Sequence, residues 1–149
     1  MRAALPAEVA IQEITRGSAQ DFFEDAWRDF NHELFGEPFL WVLTGEYHLG
    51  ATAKDGSLLG AARYTIAEGV GYLRELVVER ACRGRGIGAQ LLAAFQQECR
   101  RRGCHKLCLD VASVNVRARS FYSRHGWEQE GLMRRHWRKV DFETWIKWL

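Results

Sequence analysis

Apolar and polar residues alternate weakly over residues 9–14, the pattern of a half-buried strand. Ser18, followed three residues later by Asp21, reads as a capping box. Behind it Phe22, Phe23, Ala26, Trp27, Phe30 and Leu34 recur at intervals of three and four, so an amphipathic helix is predicted up to Gly36 and Pro38. The period then switches to two. Tyr47, Leu49, Ala51 and Ala53 alternate, residues 54–56 (KDG) supply an Asp-Gly turn, and residues 58–66 form the return strand. A second turn at residues 67–69 leads into a strand over residues 70–78. Ile87, Leu91, Leu92, Phe95 and Cys99 mark one face of a helix that carries three arginines (Arg100, Arg101, Arg102) in its last turn and stops at Gly103. Residues 105–111 read as a strand with Leu107, Leu109 and Val111 on one side. Asn115 caps a short helix that presents Ala118, Phe121, Tyr122 and His125 on one face, and Gly126 closes it. Residues 127–132 and 143–149 read as final strands, with Trp137, Trp145 and Trp148 as sheet packing.

The order is thus β-α, a β-meander, then βαβαββ. It predicts an α/β or α+β domain around a mixed sheet, with a right-handed parallel crossover between the strands at 70–78 and 105–111. The 149 residues, 47% apolar and 27% charged, suit one soluble globular domain over 1–149. A formal charge of +2 argues for neither a nucleic acid nor a membrane partner, although the arginines are clustered. No apolar run is long enough to span a bilayer and the opening residues make a poor signal peptide, so a cytoplasmic protein is expected. The cysteines at 82, 99, 104 and 108 lack metal-ligand spacing and read as small apolar filling, so no metal is expected.

The chemistry concentrates in residues 83–88, RGRGIG. The first amides of a helix have no partner within it, and the helix dipole places partial positive charge there. Glycines at 84, 86 and 88 remove the β-carbons that would hold a phosphate off that backbone, and Arg83 and Arg85 add charged, forked donors. The pattern points to an anion cradle. The Walker pattern is excluded because no Gly-Lys-Ser/Thr follows. GRGIGA at 84–89 formally satisfies the dinucleotide fingerprint, with Asp110 near the expected distance. Residues 79–83, however, separate strand from glycines where a tight turn is required.

RGRGIG resembles the R/Q-x-x-G-x-G/A acyl-CoA signature of the GNAT superfamily of N-acetyltransferases. The preceding LVVERAC is similar to the family's strand with its l-x-V ending, here Leu76 and Val78. The following NVRARSFYSRHGWEQEG resembles the N-x-x-A-x-x-F-Y segment, on which Asn115, Ala118, Phe121, Tyr122 and Gly126 fall. The resemblance is close over residues 72–131 and extends to the first seventy only in element order. Cys82 stands where an aromatic residue is frequent, a proline near Arg80 is missing, and Trp127 replaces Phe. The resemblance implies two central strands that splay apart and acetyl-CoA as the cofactor. The pantetheine arm would lie on the backbone of Leu76, Val77 and Val78. The pyrophosphate would sit on Arg83, Gly84, Arg85, Gly86, Ile87 and Gly88, with Asn115, Ala118, Phe121 and Tyr122 completing the site. A non-catalytic acyl-CoA sensor on the same fold is the alternative of a different class.

Acetyl transfer to an amine requires a neutral nucleophile, yet an amine of pKa about 10.4 is neutral in only roughly one molecule in a few thousand at pH 7. Tyr122 is the expected acid toward the departing thiolate, on helical phase and on resemblance. Glu75 is the expected base, because its parity is opposite to that of Leu76 and Val78. Tyr72, Glu79 and His125 are alternatives. The acceptor stays open among polyamine, aminoglycoside, amino acid, peptide N-terminus and protein lysine, and the resemblance admits a homodimer.

Overall fold

The computed structural model describes residues 12–37 and 43–149. By contacts the chain parts into two compact units, residues 1–41 and residues 42–149. Of the expected first strand, residues 9–11 lie outside the described part and residues 12–14 are not a strand. In the first unit α1 runs over Arg16–Phe35. Its cap differs from expectation. Thr15, in extended backbone, accepts from the Ser18 amide at 3.2 Å, so Ser18 is already in the first helical turn. Gly36 ends α1 in left-handed backbone (φ 80) and donates its amide to the His32 carbonyl at 3.0 Å. None of the described helices is long and apolar enough to cross a membrane.

In the second unit six strands form one mixed sheet: β1 (Leu43–Thr52), β2 (Leu58–Ala67), β3 (Val70–Val78), β4 (Lys106–Ala112), β5 (Glu128–Trp137) and β6 (Val140–Trp148). Their order is β1-β2-β3-β4-β6-β5, antiparallel except at β3–β4. Helices α2 (Ile87–Arg101) and α3 (Val116–Arg124) complete the unit, with a 3-10 turn at Arg80–Cys82. The β2–β3 turn places Glu68 (φ 47) and Gly69 (φ 76) both in left-handed backbone, the geometry that matches strand twist in a two-residue hairpin. The β5–β6 hairpin is longer than expected. It turns at Arg138 (φ 53) and Lys139 (φ 62) and carries an irregularity at Arg135, whose amide donates to Asp141 Oδ1 at 2.7 Å.

Of the stripe expected on α2, Leu91, Leu92, Phe95 and Cys99 form its buried face, while Ile87 in the first turn is only half-buried. Phe95 meets Tyr64 edge-on at 5.1 Å, and Tyr64 stacks on Tyr47 at 5.3 Å. Burying a side chain the size of Phe95 or Leu92 stabilises by about 2–3 kcal/mol. Cys99 and Cys104 fill this core as free thiols, with Cys99 pushed up to about 12 by burial.

The feature that positions the site is the β3–β4 pair. Parallel partners run from Val70 with Lys106 to Leu73 with Leu109, and there the ladder stops. Each strand continues on its other side. β2 stays paired with β3 as far as Val78, and β6 with β4 as far as Ala112. The cause lies in β3. Successive β2 residues Arg63 and Tyr64 face Glu75 and Leu73, so Arg74 is an extra residue. Such a bulge bends and twists its strand, and β3 leaves β4 at that point. The crossover is parallel, and the two strands splay, as the sequence had implied.

Candidate active site

The splay opens into a cleft of about 1030 Å³ walled by the end of β3, the loop before α2, the start of α2 and one face of α3. The loop is shaped by two glycines. Gly84 (φ 74) and Gly86 (φ 80) lie in left-handed backbone, which side chains with a β-carbon resist. Gly86 is the residue before the first turn of α2, and no side chain caps that helix. Among the described residues no backbone or side-chain acceptor takes the amides of residues 84–89, while the Gly86 carbonyl already receives the Gln90 amide at 3.0 Å. A concavity of free N–H groups at a helix start attracts an anion. The 3-10 turn Arg80–Cys82 and the Glu79 amide, bonded to the Leu59 carbonyl at 2.8 Å, brace the approach.

The side chains agree with the backbone. The cleft is lined by Arg83, Arg117 and Arg124 and by no carboxylate. Arg83 donates through Nε to the Val78 carbonyl at 3.0 Å, which ties the loop to the strand end and leaves its other guanidinium nitrogens for a ligand. Arg117 has no ion pair among the described residues, and Arg124 donates to the Ser120 hydroxyl at 3.1 Å. Asn115 caps α3 by accepting the Ala118 amide at 3.1 Å.

Of the residues expected to hold a cofactor, Leu76, Val77 and Val78 line the strand side, and Arg83, Gly84, Gly86, Ile87 and Gly88 line the loop and helix start. Asn115, Ala118, Phe121 and Tyr122 line the α3 side. Arg85 is exposed and stands outside this lining. Cys82, Ala89, Arg117, Arg124 and His125 line it as well. Helical phase could have found the two arginines, since Arg117 and Arg124 flank Phe121 at four and three residues.

Tyr122 is 8% exposed, packs edge-on against Phe121 at 5.2 Å and Trp127 at 5.7 Å, and lines the cleft. Burial pushes its phenol up to about 12. The hydroxyl is therefore a neutral donor at physiological pH, with no hydrogen-bond partner among the described residues. His125 holds the Phe121 carbonyl through Nδ1 at 2.7 Å. A carbonyl only accepts, so Nδ1 carries the proton.

Glu75 has the expected parity, opposite to Leu76 and Val78, but not the expected surroundings. It lies on the other side of β3, does not line the cleft, and accepts from Arg63 at 3.0 Å. Arg63 also meets Glu46 at 3.5 Å, and Glu46 meets His48 at 3.4 Å, an exposed chain of charges across three strands. The bulge at Arg74 lies before Glu75 and leaves its parity opposite to Leu76 and Val78 intact; on that face the register with β2 sets Glu75 against Arg63. Glu79 lies outside the cleft, and Tyr72 is bonded to Asp110.

A mixed sheet splayed at its centre, with a carboxylate-free anion cradle at the start of the following helix, defines an acyl-CoA-dependent transferase. The chain belongs to the acetyltransferase (GNAT) family, whose profile matches residues 12–127. It is 32% identical over 132 residues to an uncharacterized N-acetyltransferase of Methanocaldococcus jannaschii, covering 83% of each chain. In fold it is similar to an acetyltransferase of Bacillus cereus, with a TM-score of 0.74, 22% identity, and coverage of 95% of this chain and 98% of that one. An acetyltransferase of Bacillus anthracis, solved in complex with acetyl coenzyme A, aligns with a TM-score of 0.65 and 17% identity, over 70% of this chain and 62% of that one. The protein is an acyltransferase, and acetyl-CoA is its cofactor. The free amides, the three arginines and the missing carboxylates of the cleft fit that polyanion.

Proposed function

We propose that the chain moves the acetyl group of acetyl-CoA to a primary amine by direct transfer while both substrates are bound. The observation that carries this reading is a single cleft that joins the free amides of residues 84–89, the unpaired edge of β3 and the neutral Tyr122 hydroxyl. The amides would hold the diphosphate, with Arg83 and Arg117 meeting its charge. The edge of β3 beyond Leu73, no longer paired with β4, offers main-chain donors and acceptors to an extended ligand, much as an added strand would use them. When bound, acetyl-CoA supplies a thioester, an acyl group already activated toward amines.

The remaining work falls to this chain. Fixing amine and thioester side by side removes much of the entropic barrier. Tyr122 donates its proton to the thiolate as the carbon–sulfur bond breaks, and burial suits it to that role by keeping the phenol protonated. The test is to incubate the protein with acetyl-CoA and a panel of amines while following thiol release and the mass of the acetylated product. Amine-dependent thiol release, with one amine strongly preferred, is the expected result. Acetyl-CoA binding with neither thiol nor acetylated amine formed would overturn it.

A further inference from the structure

One polar cluster remains unexplained by the cofactor cleft. Tyr72 on β3 pairs with Cys108 on β4 inside the closed part of the ladder. Its hydroxyl nevertheless reaches along the strand to donate to the carboxylate of Asp110. Asp110 is the first β4 residue beyond the last β3–β4 pair, and its other oxygen accepts from the Thr144 hydroxyl of β6 at 3.1 Å. Arg74, the bulge residue, lies over the Tyr72 ring at 3.9 Å and donates to Thr65 at 3.2 Å. Three strands therefore converge on one hydroxyl and one carboxylate at the lip of the splay.

The face matters. Leu73, Leu107, Leu109 and Val111 belong to the buried core beneath α2 and α3. Tyr72, Cys108, Asp110 and Thr144 alternate with those residues and with Trp145, so they point to the opposite face. Tyr122 thus approaches the splay from the α3 side and the Tyr72 hydroxyl from the other. A cofactor threaded through the gap would have its sulfur toward one and its acyl carbon open toward the other.

We propose that Tyr72 and Asp110 form the proton relay for the acceptor amine: the Tyr72 oxygen receives the amine's proton while its own passes to Asp110, which Thr144 holds in place. This inference rests on the transferase reading above and assigns the base that reading needs. The step balances. As the amine nitrogen bonds to the acetyl carbonyl carbon its protons become strongly acidic. One moves to Tyr72 Oη, the Tyr72 proton moves to Asp110 Oδ2, the carbon–sulfur bond breaks, and the thiolate takes the Tyr122 proton. Asp110 then releases a proton to water and Tyr122 regains one. Burial first, and the Asp110 carboxylate second, hold the Tyr72 phenol well above its usual range, so Tyr72 cannot serve as a phenolate base by itself. The charged or titratable groups around it are Arg74 from β3 and Cys108 and Asp110 from β4. β6 contributes the neutral Thr144 hydroxyl.

Wild type, Y72F, D110N and D110E are compared with acetyl-CoA and three amine probes: spermidine, glucosamine 6-phosphate and an alanine-initiated peptide. Calorimetry with coenzyme A should give the same affinity for all four within about twofold. In Y72F and D110N kcat/KM at pH 7 should fall on the order of 100-fold, with the acid limb of the pH profile displaced, and D110E should recover part of the loss. A second readout needs no turnover. The Tyr72 ¹³Cζ resonance, assigned by its absence in Y72F, should shift when amine is added to the coenzyme A complex of wild type and stay fixed in D110N. If D110N fails to fold, Y72F, which keeps the ring and loses only the hydroxyl, carries the test. Wild type that acetylates an amine, with the kcat/KM and pH profiles of Y72F and D110N superimposable on those of wild type, breaks the relay alone. Wild type that binds acetyl-CoA and acetylates none of the three breaks the transferase reading and the relay with it.

Discussion

The two halves of the β3–β4 pair make opposite use of the same two strands. From Val70 to Leu73 the strands are bonded and closed over by α2. A β-carbon on Gly71 would come within 2.5 Å of Cys99 Sγ and 2.9 Å of Leu107. From Arg74 onward the bond ladder is given up, glycines take left-handed backbone, helix amides go uncapped and polar groups gather on both faces. Tight packing leaves no room for a ligand, and open main chain contributes little to stability. The closed half should therefore respond to substitution in stability, and the open half in binding and turnover.

The strongest challenge to that division is Gly86→Val. A β-branched side chain at φ 80 would strain the loop by about 1–2 kcal/mol and cover the amides. Coenzyme A affinity measured by calorimetry should fall by at least about 100-fold, a loss far larger than that strain accounts for. Tyr122→Phe comes next, with kcat lower on the order of 100-fold and coenzyme A affinity within about twofold, read by thiol release and calorimetry. The same residue has a signature in stability. Folding raises the phenol pKa from 10.0 to about 12, so the unfolded chain gives up its proton first. The stabilisation is intact below pH 10 and is lost as pH rises toward 12, about 2–3 kcal/mol in all. Denaturant titrations should show that part of the alkaline loss missing in Tyr122→Phe.

Gly71→Ala tests the closed half. Two core contacts must move to admit the methyl group, at a cost of about 1–3 kcal/mol in urea unfolding. At temperatures where the variant stays folded, coenzyme A affinity should match wild type. The smallest effect is expected for Glu75→Gln. Glu75 is solvent-exposed and Arg63 half-buried, and pairs open to water on one side contribute about 0–1 kcal/mol. Turnover should stay within about twofold and the pH profile should be unchanged, in contrast to D110N.

The same division marks what the sequence made legible. The α2 and α3 faces, the glycine loop, the crossover and the splay all follow from short-range rules or from matched motifs, and these cover nearly every residue that lines the cleft. The bulge at Arg74 carries no such signal. One inserted residue puts Tyr72 on the same face as Glu75 without any glycine or proline to announce it, and the ion pair of Glu75 with Arg63 follows from the register with β2, which β3 alone does not reveal. The β5–β6 turn was hidden for a similar reason, since Arg138 and Lys139 adopt left-handed backbone without the Asn-Gly or Asp-Gly signature. The cap of α1 lay three residues early because Thr15 and Ser18 are chemically equivalent cappers. Tyr72, Asp110 and Thr144 stand far apart in sequence. They meet only through the register of three strands.

The central claim is that amides at the start of α2 take the diphosphate of coenzyme A, and an ¹⁵N–¹H correlation titration reads those groups directly. Adding coenzyme A should move the amide resonances of residues 84–89 most strongly, at one-to-one stoichiometry, with Gly86→Val abolishing the response. Saturable binding of coenzyme A that leaves those six amides in place and perturbs another part of the chain would contradict it.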